Sequence, residues 1–243
     1  MNNCKFYILL FSSIIFIAGC SHRSYNTAST DSSVGTAWGK DVHSSVTGVA
    51  VQRTQREPVN VVSVRYSALF PENYHRVYSI RVGDVEYAIR DANFNSLPIA
   101  QMYDRSTRSW QYIIPAPVGL TYQLYIRNYS DETNYEIVAT VDGLDVINGK
   151  LGSFDNNGYI VSAGQSLSIK GFRKDRNHEA AFRFSRIADS YAANSGYGDT
   201  NNAGVIGFAA FELAEETMNE LPPCASQAFP GNQKGYALPP CEK

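Results

Sequence analysis

Between residues 59 and 212 apolar and polar side chains alternate with a period of two, in short runs separated by turn residues. That pattern restricts this part of the chain to β-sheet. Tyr122, Leu124 and Ile126 alternate with Gln123, Tyr125 and Arg127, while Tyr135, Ile137, Ala139 and Val141 alternate with Glu136, Val138 and Thr140. Period-two alternation turns one face of a strand to a core and the other away from it. Val61-Val62-Ser63-Val64-Arg65-Tyr66 opens the series, and residues 77–80 and 85–89 flank Arg81-Val82-Gly83-Asp84 as a hairpin. Further strands are predicted at 159–161, 167–172, 180–185 and 205–211. Turn signals fall between them: Asn128-Tyr129-Ser130-Asp131, Asp142-Gly143, Asn148-Gly149, Asn157-Gly158 and Ala163-Gly164. Short strands at this spacing predict an all-β fold, an antiparallel β-sandwich or jelly-roll-like domain over residues 59–215. Only residues 187–194 and 212–219 read as short helices. Charged residues make up 18% of the chain, against 16 Tyr and 12 Phe, which favours a β-rich extracytoplasmic protein over a helical enzyme.

The N-terminus is of another kind. Asn2, Asn3 and Lys5 precede an apolar run over residues 6–18, which is shorter than the roughly 20 residues of a bilayer span. Ala18 and Gly19 then lead to Cys20. This reads as a signal peptide over residues 1–19. Ile17-Ala18-Gly19-Cys20 resembles the lipobox of bacterial lipoproteins, and the resemblance implies a lipid-modified Cys20 as the mature N-terminus. Several acyl chains on one residue anchor stably, since each buried CH₂ contributes about 0.8 kcal/mol. Ser21, where an Asp is absent, resembles the sorting pattern for the outer membrane. Residues 20–58 are rich in Ser, Thr, Asn and Gly and are expected to form a flexible tether. A short strand is predicted within it at Val46-Thr47-Gly48-Val49-Ala50-Val51.

Net charge is −2 and becomes −3 once Lys5 leaves with the signal, so no basic field exists for nucleic acid. Cys4 leaves with the signal as well. Cys224 and Cys241 remain in the tail over residues 216–243, each ending a Leu-Pro-Pro-Cys tetrapeptide. A disulfide between them would close a loop contributing about 3 kcal/mol, with free thiols or an intermolecular bridge as the competing readings.

Residues 134–211 also resemble a family of uncharacterised, secreted bacterial β-rich proteins. The resemblance is carried by Val141-Asp142-Gly143-Leu144-Asp145-Val146 with Gly149-Lys150, by Gly158-Tyr159-Ile160-Val161 and by Gly171-Phe172-Arg173. Ala180-Ala181-Phe182-Arg183-Phe184-Ser185, Asp189-Ser190-Tyr191-Ala192-Ala193 and Gly204-Val205-Ile206-Gly207 complete it. It implies a β domain and brings no catalytic residues.

No nucleophile or phosphate-loop motif occurs in the chain, so neither catalytic residues nor a cofactor are expected. The four histidines (His22, His43, His75, His178) stand at no metal-ligand spacing from one another, and no metal site is expected. Asp142 and Asp145 can be read as paired carboxylates or as part of a tight turn. The turn is preferred, because Asp-Gly suits a two-residue hairpin loop. Asp155-Asn156-Asn157-Gly158 and Gly198-Asp199-Thr200-Asn201-Asn202 are oxygen-rich, yet lack the spacing of a calcium loop and read as turns. Arg173, Arg183 and Arg186 lie near Asp189 in sequence, and an Arg183–Asp189 ion pair is expected.

The binding candidates are Tyr103, Arg105, Arg108, Trp110 and Tyr112. Aromatic faces beside arginines take sugars, peptides or protein partners; the competing reading makes these core aromatics beside a polar hairpin turn. Together these features describe a lipid-anchored cell-envelope binding or assembly module without catalytic activity. It would meet the membrane through Cys20 and have envelope proteins or glycans as partners. The alternatives are a carbohydrate- or lipid-active enzyme on a jelly roll, using Asp142, Asp145 or Asp189, and a subunit of a surface or secretion complex. Replacement of Cys20 by Ser is expected to release the protein from membranes and change its electrophoretic mobility. A Cys20→Ser protein that stays membrane-bound with unaltered mobility would refute lipidation.

Overall fold

The computed structural model describes residues 33–214. Cys20, Cys224 and Cys241 lie outside them, as do the signal segment, the whole of the tail and the part of the predicted second helix beyond residue 214. Fifteen strands run through the described residues. The first eight are β1 (Val34–His43), β2 (Asn60–Ser67), β3 (His75–Val77), β4 (Ile80–Val82), β5 (Val85–Asp91), β6 (Ile99–Asp104), β7 (Ser109–Pro115) and β8 (Thr121–Asn128). The rest are β9 (Tyr135–Val141), β10 (Leu144–Asp145), β11 (Tyr159–Val161), β12 (Ser166–Ile169), β13 (Gly171–Arg173), β14 (His178–Arg186) and β15 (Val205–Glu212).

They form two sheets. The first has seven strands in the order β1-β14-β8-β5-β4, with β12 also on β8 and β13 on β14. The second has eight, in the order β10-β9-β15-β2-β7-β6-β3, with β11 on β9. The sheets pack face to face: Tyr66 of β2 lies 5.0 Å from Phe184 of β14, and Tyr87 of β5 lies 4.9 Å from Phe208 of β15, between ring centroids. The predicted sandwich is the observed one. Its pairing is antiparallel throughout except between β2 and β7, which run parallel.

The alternation read in the sequence is what builds this core. On β2, Val62, Val64 and Tyr66 are buried while Val61, Ser63 and Arg65 are exposed. Each large apolar side chain fully removed from water stabilises by about 1.5–3 kcal/mol. β5 and β8 together with β9 and β15 supply most of the rest: Tyr87, Ile89, Leu124, Ile126, Ile137, Ile206 and Phe208 are all essentially inaccessible.

At one end of the sandwich a polar network crosses between the sheets. Asp142 and Gly143 form the two-residue turn from β9 to β10, with φ of 54° and 75°. Both angles are positive, as a type I′ turn requires. The turn buries the Asp142 carboxylate, whose Oδ2 accepts from the Thr36 amide of β1 at 2.8 Å and whose Oδ1 accepts from the Gly204 amide at 2.9 Å. Oδ1 also accepts from the Tyr66 hydroxyl. The Thr36 hydroxyl lies 2.8 Å from that of Tyr66 and 2.7 Å from that of Tyr122 on β8. Each hydroxyl carries one proton, so a single ordering satisfies all three contacts: Tyr122 donates to Thr36, Thr36 to Tyr66, and Tyr66 to Asp142.

Four sequence expectations are corrected. The tether does not run to residue 58, because Val34–His43 is a ten-residue strand paired with β14. Its sequence, Val34-Gly35-Thr36-Ala37-Trp38-Gly39-Lys40-Asp41, is poor in large apolar residues because the strand passes close to its neighbours. A Cβ at Gly39 would stand 2.3 Å from the Ala181 carbonyl oxygen. Residues 46–51 form no strand. The first predicted helix, 187–194, is broken at Ser190 into a 3₁₀ turn (Ile187–Asp189) and a single α-turn, α1 (Tyr191–Asn194), capped by the Ser190 hydroxyl. Glu212 closes β15 and begins no helix.

Burial pushes the Asp142 carboxyl above its ordinary range, with the Tyr66 hydroxyl and the backbone amides opposing the shift. Asp142→Asn sets an amide N–H against a buried donor and is expected to cost about 1–3 kcal/mol. Asp142→Ala leaves three donors unpaired and should cost more. Asp145 differs: its Oδ1 accepts from the Ile147 and Asn148 amides, at 3.0 and 2.8 Å, but its buried Oδ2 has no hydrogen-bond partner among the described residues. Its carboxyl too is raised by burial, so the native state holds that proton more tightly than the unfolded chain, and the cost of the ionised form appears as pH rises. Asp145→Asn is therefore expected to be near-neutral or stabilising at pH 7, with the advantage shrinking as pH falls through the raised pKa. Urea melts of the three variants test this order.

Candidate functional site

The hairpin β6–β7 carries the aromatic and arginine residues singled out in the sequence. Tyr103 pairs directly with Trp110 and Gln101 with Tyr112. The Tyr103 and Trp110 rings meet edge to face, centroids 5.2 Å apart. Continuing that register, Ile99, Gln101, Tyr103, Trp110, Tyr112 and Ile114 share one face. Ile99 and Ile114 lie in the core, so this is the inner face of the second sheet. One surface thus carries both core and exposed aromatic side chains. Its base is core, Tyr112 packs half-buried against that core, and Tyr103 and Trp110 overhang it with 51% and 54% of their surface exposed.

The turn at the tip is built by Asp104. Its Oδ1 accepts from the Ser106 amide at 2.8 Å, from the Ser106 hydroxyl at 2.6 Å and from the Thr107 amide at 3.4 Å. These bonds, the Ser106 hydroxyl foremost, hold the exposed carboxyl below its ordinary range. Arg108 adopts a left-handed φ of 53°, and the hydroxyls of Thr107 and Ser109 bond across it at 2.8 Å. Arg105 and Arg108 are exposed, and neither has an ion pair or hydrogen bond among the described residues. The tip thus presents two aromatic rings and two unpaired cations on an ordered turn.

A second surface was missed in the sequence because its residues fell in the supposed tether. Arg53 reaches across the outer face of the second sheet, its guanidinium 3.6 Å above the Phe211 ring. Nε bonds Glu136 at 2.6 Å, Nη2 bonds the Asn156 carbonyl at 2.7 Å, and Nη1 bonds the Phe154 carbonyl. Glu136 also accepts from the Gly158 amide at 2.6 Å. Nearby, Arg173 pairs with the buried Glu179 and donates to the Tyr159 hydroxyl at 2.9 Å and to the Ser44 carbonyl. Between these two ion pairs lies a groove of about 760 Å³, bounded by residues 46–53 on one side and by Gly158, Tyr159, Ile160 and Leu167 on the other.

The remaining polar candidates serve the fold. Asp189 pairs with Arg186 at 2.8 Å, not with Arg183, which is exposed on β14. Asp142 and Asp145 do not act as a pair, since each carboxylate serves its own set of amides. Asp155 and Asn156 lie in the turn that Arg53 grips, and Asp199 caps the 3₁₀ turn Thr200–Asn202. His43 and His178 become cross-strand neighbours with ring centroids 5.9 Å apart, yet no group of three His, Cys, Asp or Glu that could hold a metal exists among the described residues. Among those residues no helix is long and apolar enough to cross a membrane. Searches of protein-family models, curated proteins and solved structures return no match to this chain.

Burial raises the Glu179 carboxyl above its ordinary range, with Arg173 opposing the shift. Removing Arg173 leaves that carboxylate buried and unpaired, so Arg173→Ala is expected to cost about 3–5 kcal/mol near neutral pH. The loss should shrink as pH falls and Glu179 takes up a proton; chemical denaturation at two pH values measures both.

Proposed function

We propose that this protein is a lipid-anchored binding or assembly module of the cell envelope, probing partners through the tip of the β6–β7 hairpin. The observation that carries this reading is the exposed Tyr103–Trp110 pair flanked by the unpaired Arg105 and Arg108. Large rings and arginines dominate the energetics of recognition surfaces, because they desolvate broad faces and keep a polar handle. A monomer gains nothing in stability by holding such rings in water. The chemistry suits a glycan, whose C–H faces stack on aromatic rings while its hydroxyls accept from guanidinium, or a protein surface carrying carboxylates.

Anchoring through Cys20 would hold this surface at a membrane. The export motif, the proposed outer-membrane sorting through Ser21 and the Cys224–Cys241 bridge belong to the same reading. The buried carboxylates supply its other support: Asp142, Glu136 and Glu179 already accept hydrogen bonds from the fold's own donors.

Trp110→Ala and Tyr103→Ala are each expected to weaken retention of membrane-derived partners or of purified peptidoglycan by about 2 kcal/mol, roughly thirtyfold. The melting temperature should stay that of the parent, since both rings are half exposed. Affinity capture of the native lipoprotein and its variants, with partners identified by mass, checks this. An unchanged partner set in the double variant would overturn the tip as the recognition surface.

A further inference from the structure

β5 and β8 each have a neighbouring strand on both sides, so the face they turn to solvent is read through side chains alone. Tyr87 and Ile89 of β5 and Leu124 and Ile126 of β8 enter the core. Glu86, Ala88 and Arg90 therefore point outward, beside Gln123, Tyr125 and Arg127. Arg81 of β4 lies on the same face, opposite Glu86. Three arginines thus share the outer positions of these strands with one carboxylate. That carboxylate is already engaged, because the Tyr129 hydroxyl donates to Glu86 Oε2 at 2.8 Å.

Each of these arginines rests on aromatic rings. The Arg90 guanidinium carbon stands 3.6 Å from the centre of the Tyr125 ring and 4.0 Å from that of Phe94. The two rings meet at 89°, so the cation fills a corner between them. Its Nε is sealed from water without a hydrogen-bond partner among the described residues, and an incoming acceptor must meet the terminal Nη groups. A cation partly stripped of water and left without a counterion attracts an anion more strongly than one in open solvent. The Phe94 side of the corner is held by a tight loop. Asp91 Oδ1 accepts from the Asn93 and Asn95 amides at 2.8 and 2.9 Å, and between them Phe94 takes a left-handed φ of 71°. A bulky residue rarely adopts that conformation and glycine does so freely, yet a half-exposed ring stands here. A second station lies further along β8. The Arg81 and Arg127 guanidinium carbons stand 4.4 and 4.6 Å from the centre of the Tyr129 ring. Arg127 is exposed, and its side chain makes no ion pair or hydrogen bond among the described residues. Arg90 pairs with Gln123, four residues from Arg127, so the stations are about 13 Å apart along the strand.

We propose that the outer face of the first sheet is a second recognition surface, which binds an acidic glycan through Arg90 and Arg127. Sugar carboxylates accept from the two guanidinium groups in the forked geometry that arginine offers. Sugar C–H faces stack on the exposed parts of Phe94 and Tyr129. Charge complementarity calls for an anion, and two stations along one strand call for an anion that repeats along a chain. A peptide fits less well, since an extended backbone gains its main-chain bonds at an open sheet edge and β5 and β8 offer none. This surface is separate from the hairpin tip, because β5 and β8 belong to the first sheet and β6 and β7 to the second.

Binding to polygalacturonate, with neutral dextran as the control, tests this on the full chain carrying Tyr103→Ala and Trp110→Ala, so that the tip is not read. That protein is expected to bind polygalacturonate, to ignore dextran and to release its ligand as salt is raised. Adding Arg90→Gln or Arg127→Gln should each weaken binding about tenfold, the loss of one charge-assisted contact. Phe94→Gly should weaken it as well without lowering the melting temperature, because glycine relieves the backbone. A ring that served packing alone would do the reverse, lowering the melting temperature and leaving affinity untouched. Arg127 is exposed, so its variant stays folded and supplies the reading should the others destabilise the sheet. No binding by the double variant, or binding that survives both arginine substitutions, would overturn the proposal and leave the hairpin tip as it stands. Competition by glycerol phosphate equal to that by galacturonate would overturn it too, giving the arginines to phosphate groups such as those of a lipid surface.

Discussion

The buried carboxylate of Asp142 is the interaction on which the two-sheet arrangement depends. Apolar burial drives the sheets together, but it is non-directional and leaves their relative position loosely specified. The carboxylate supplies direction. Its acceptors draw in the amide of Thr36 from the first sheet, the hydroxyl of Tyr66 from the second and the amide of Gly204 that leads into β15. Through Thr36 the network reaches Tyr122 on β8, whose ring stacks 4.2 Å from Phe184, itself 5.0 Å from Tyr66. Shifting either sheet would strand several buried polar groups at once, each at a cost comparable to a lost hydrogen bond or more. The turn conformation that Asp-Gly requires is therefore also what delivers the carboxylate, and one dipeptide sets both the β9–β10 hairpin and the contact between sheets.

Much of the fold was legible in the sequence because the central strands alternate cleanly: β11 is the predicted Tyr159–Val161, and β2, β8, β9, β14 and β15 fall within a few residues of their predicted spans. What escaped detection has physical reasons. β1 is built from small residues, because it lies against β14 so closely that a Cβ at Gly39 would collide with backbone. A composition that reads as tether is here a steric requirement. Residues 46–51 show the converse, a strand signal without a partner among the described residues, since propensity expresses itself only where a ladder exists. Arg53 was invisible for a third reason: its partners Glu136, Phe154 and Asn156 are far away in sequence, and no local pattern announces a guanidinium that closes over an aromatic ring.

The candidate site was half legible. Tyr103, Arg105, Arg108, Trp110 and Tyr112 do gather on one hairpin, but sequence alone could not separate core from display. The structure shows why the two readings were hard to tell apart. The same face of β6 and β7 begins in the core at Ile99 and Ile114 and leaves it by Tyr103 and Trp110. Alternation reports which face a residue is on, not where along that face the opposing sheet ends.

Placement of the tip also fits its proposed use. In the second sheet, β6 and β7 are separated from β9 by β2 and β15, so changes at the tip need not disturb the Asp142 network. β7 runs parallel to β2, with Ile114 level with Tyr66. Trp110 therefore lies four residues back from the network, about 13 Å along the strand at 3.3 Å per residue. β1 enters the sandwich at the network end, where Gly35 lies against Ser190 and Thr36 bonds Asp142. The contact that stabilises the fold and the proposed recognition surface therefore lie apart on the same sandwich, and each can change without the other.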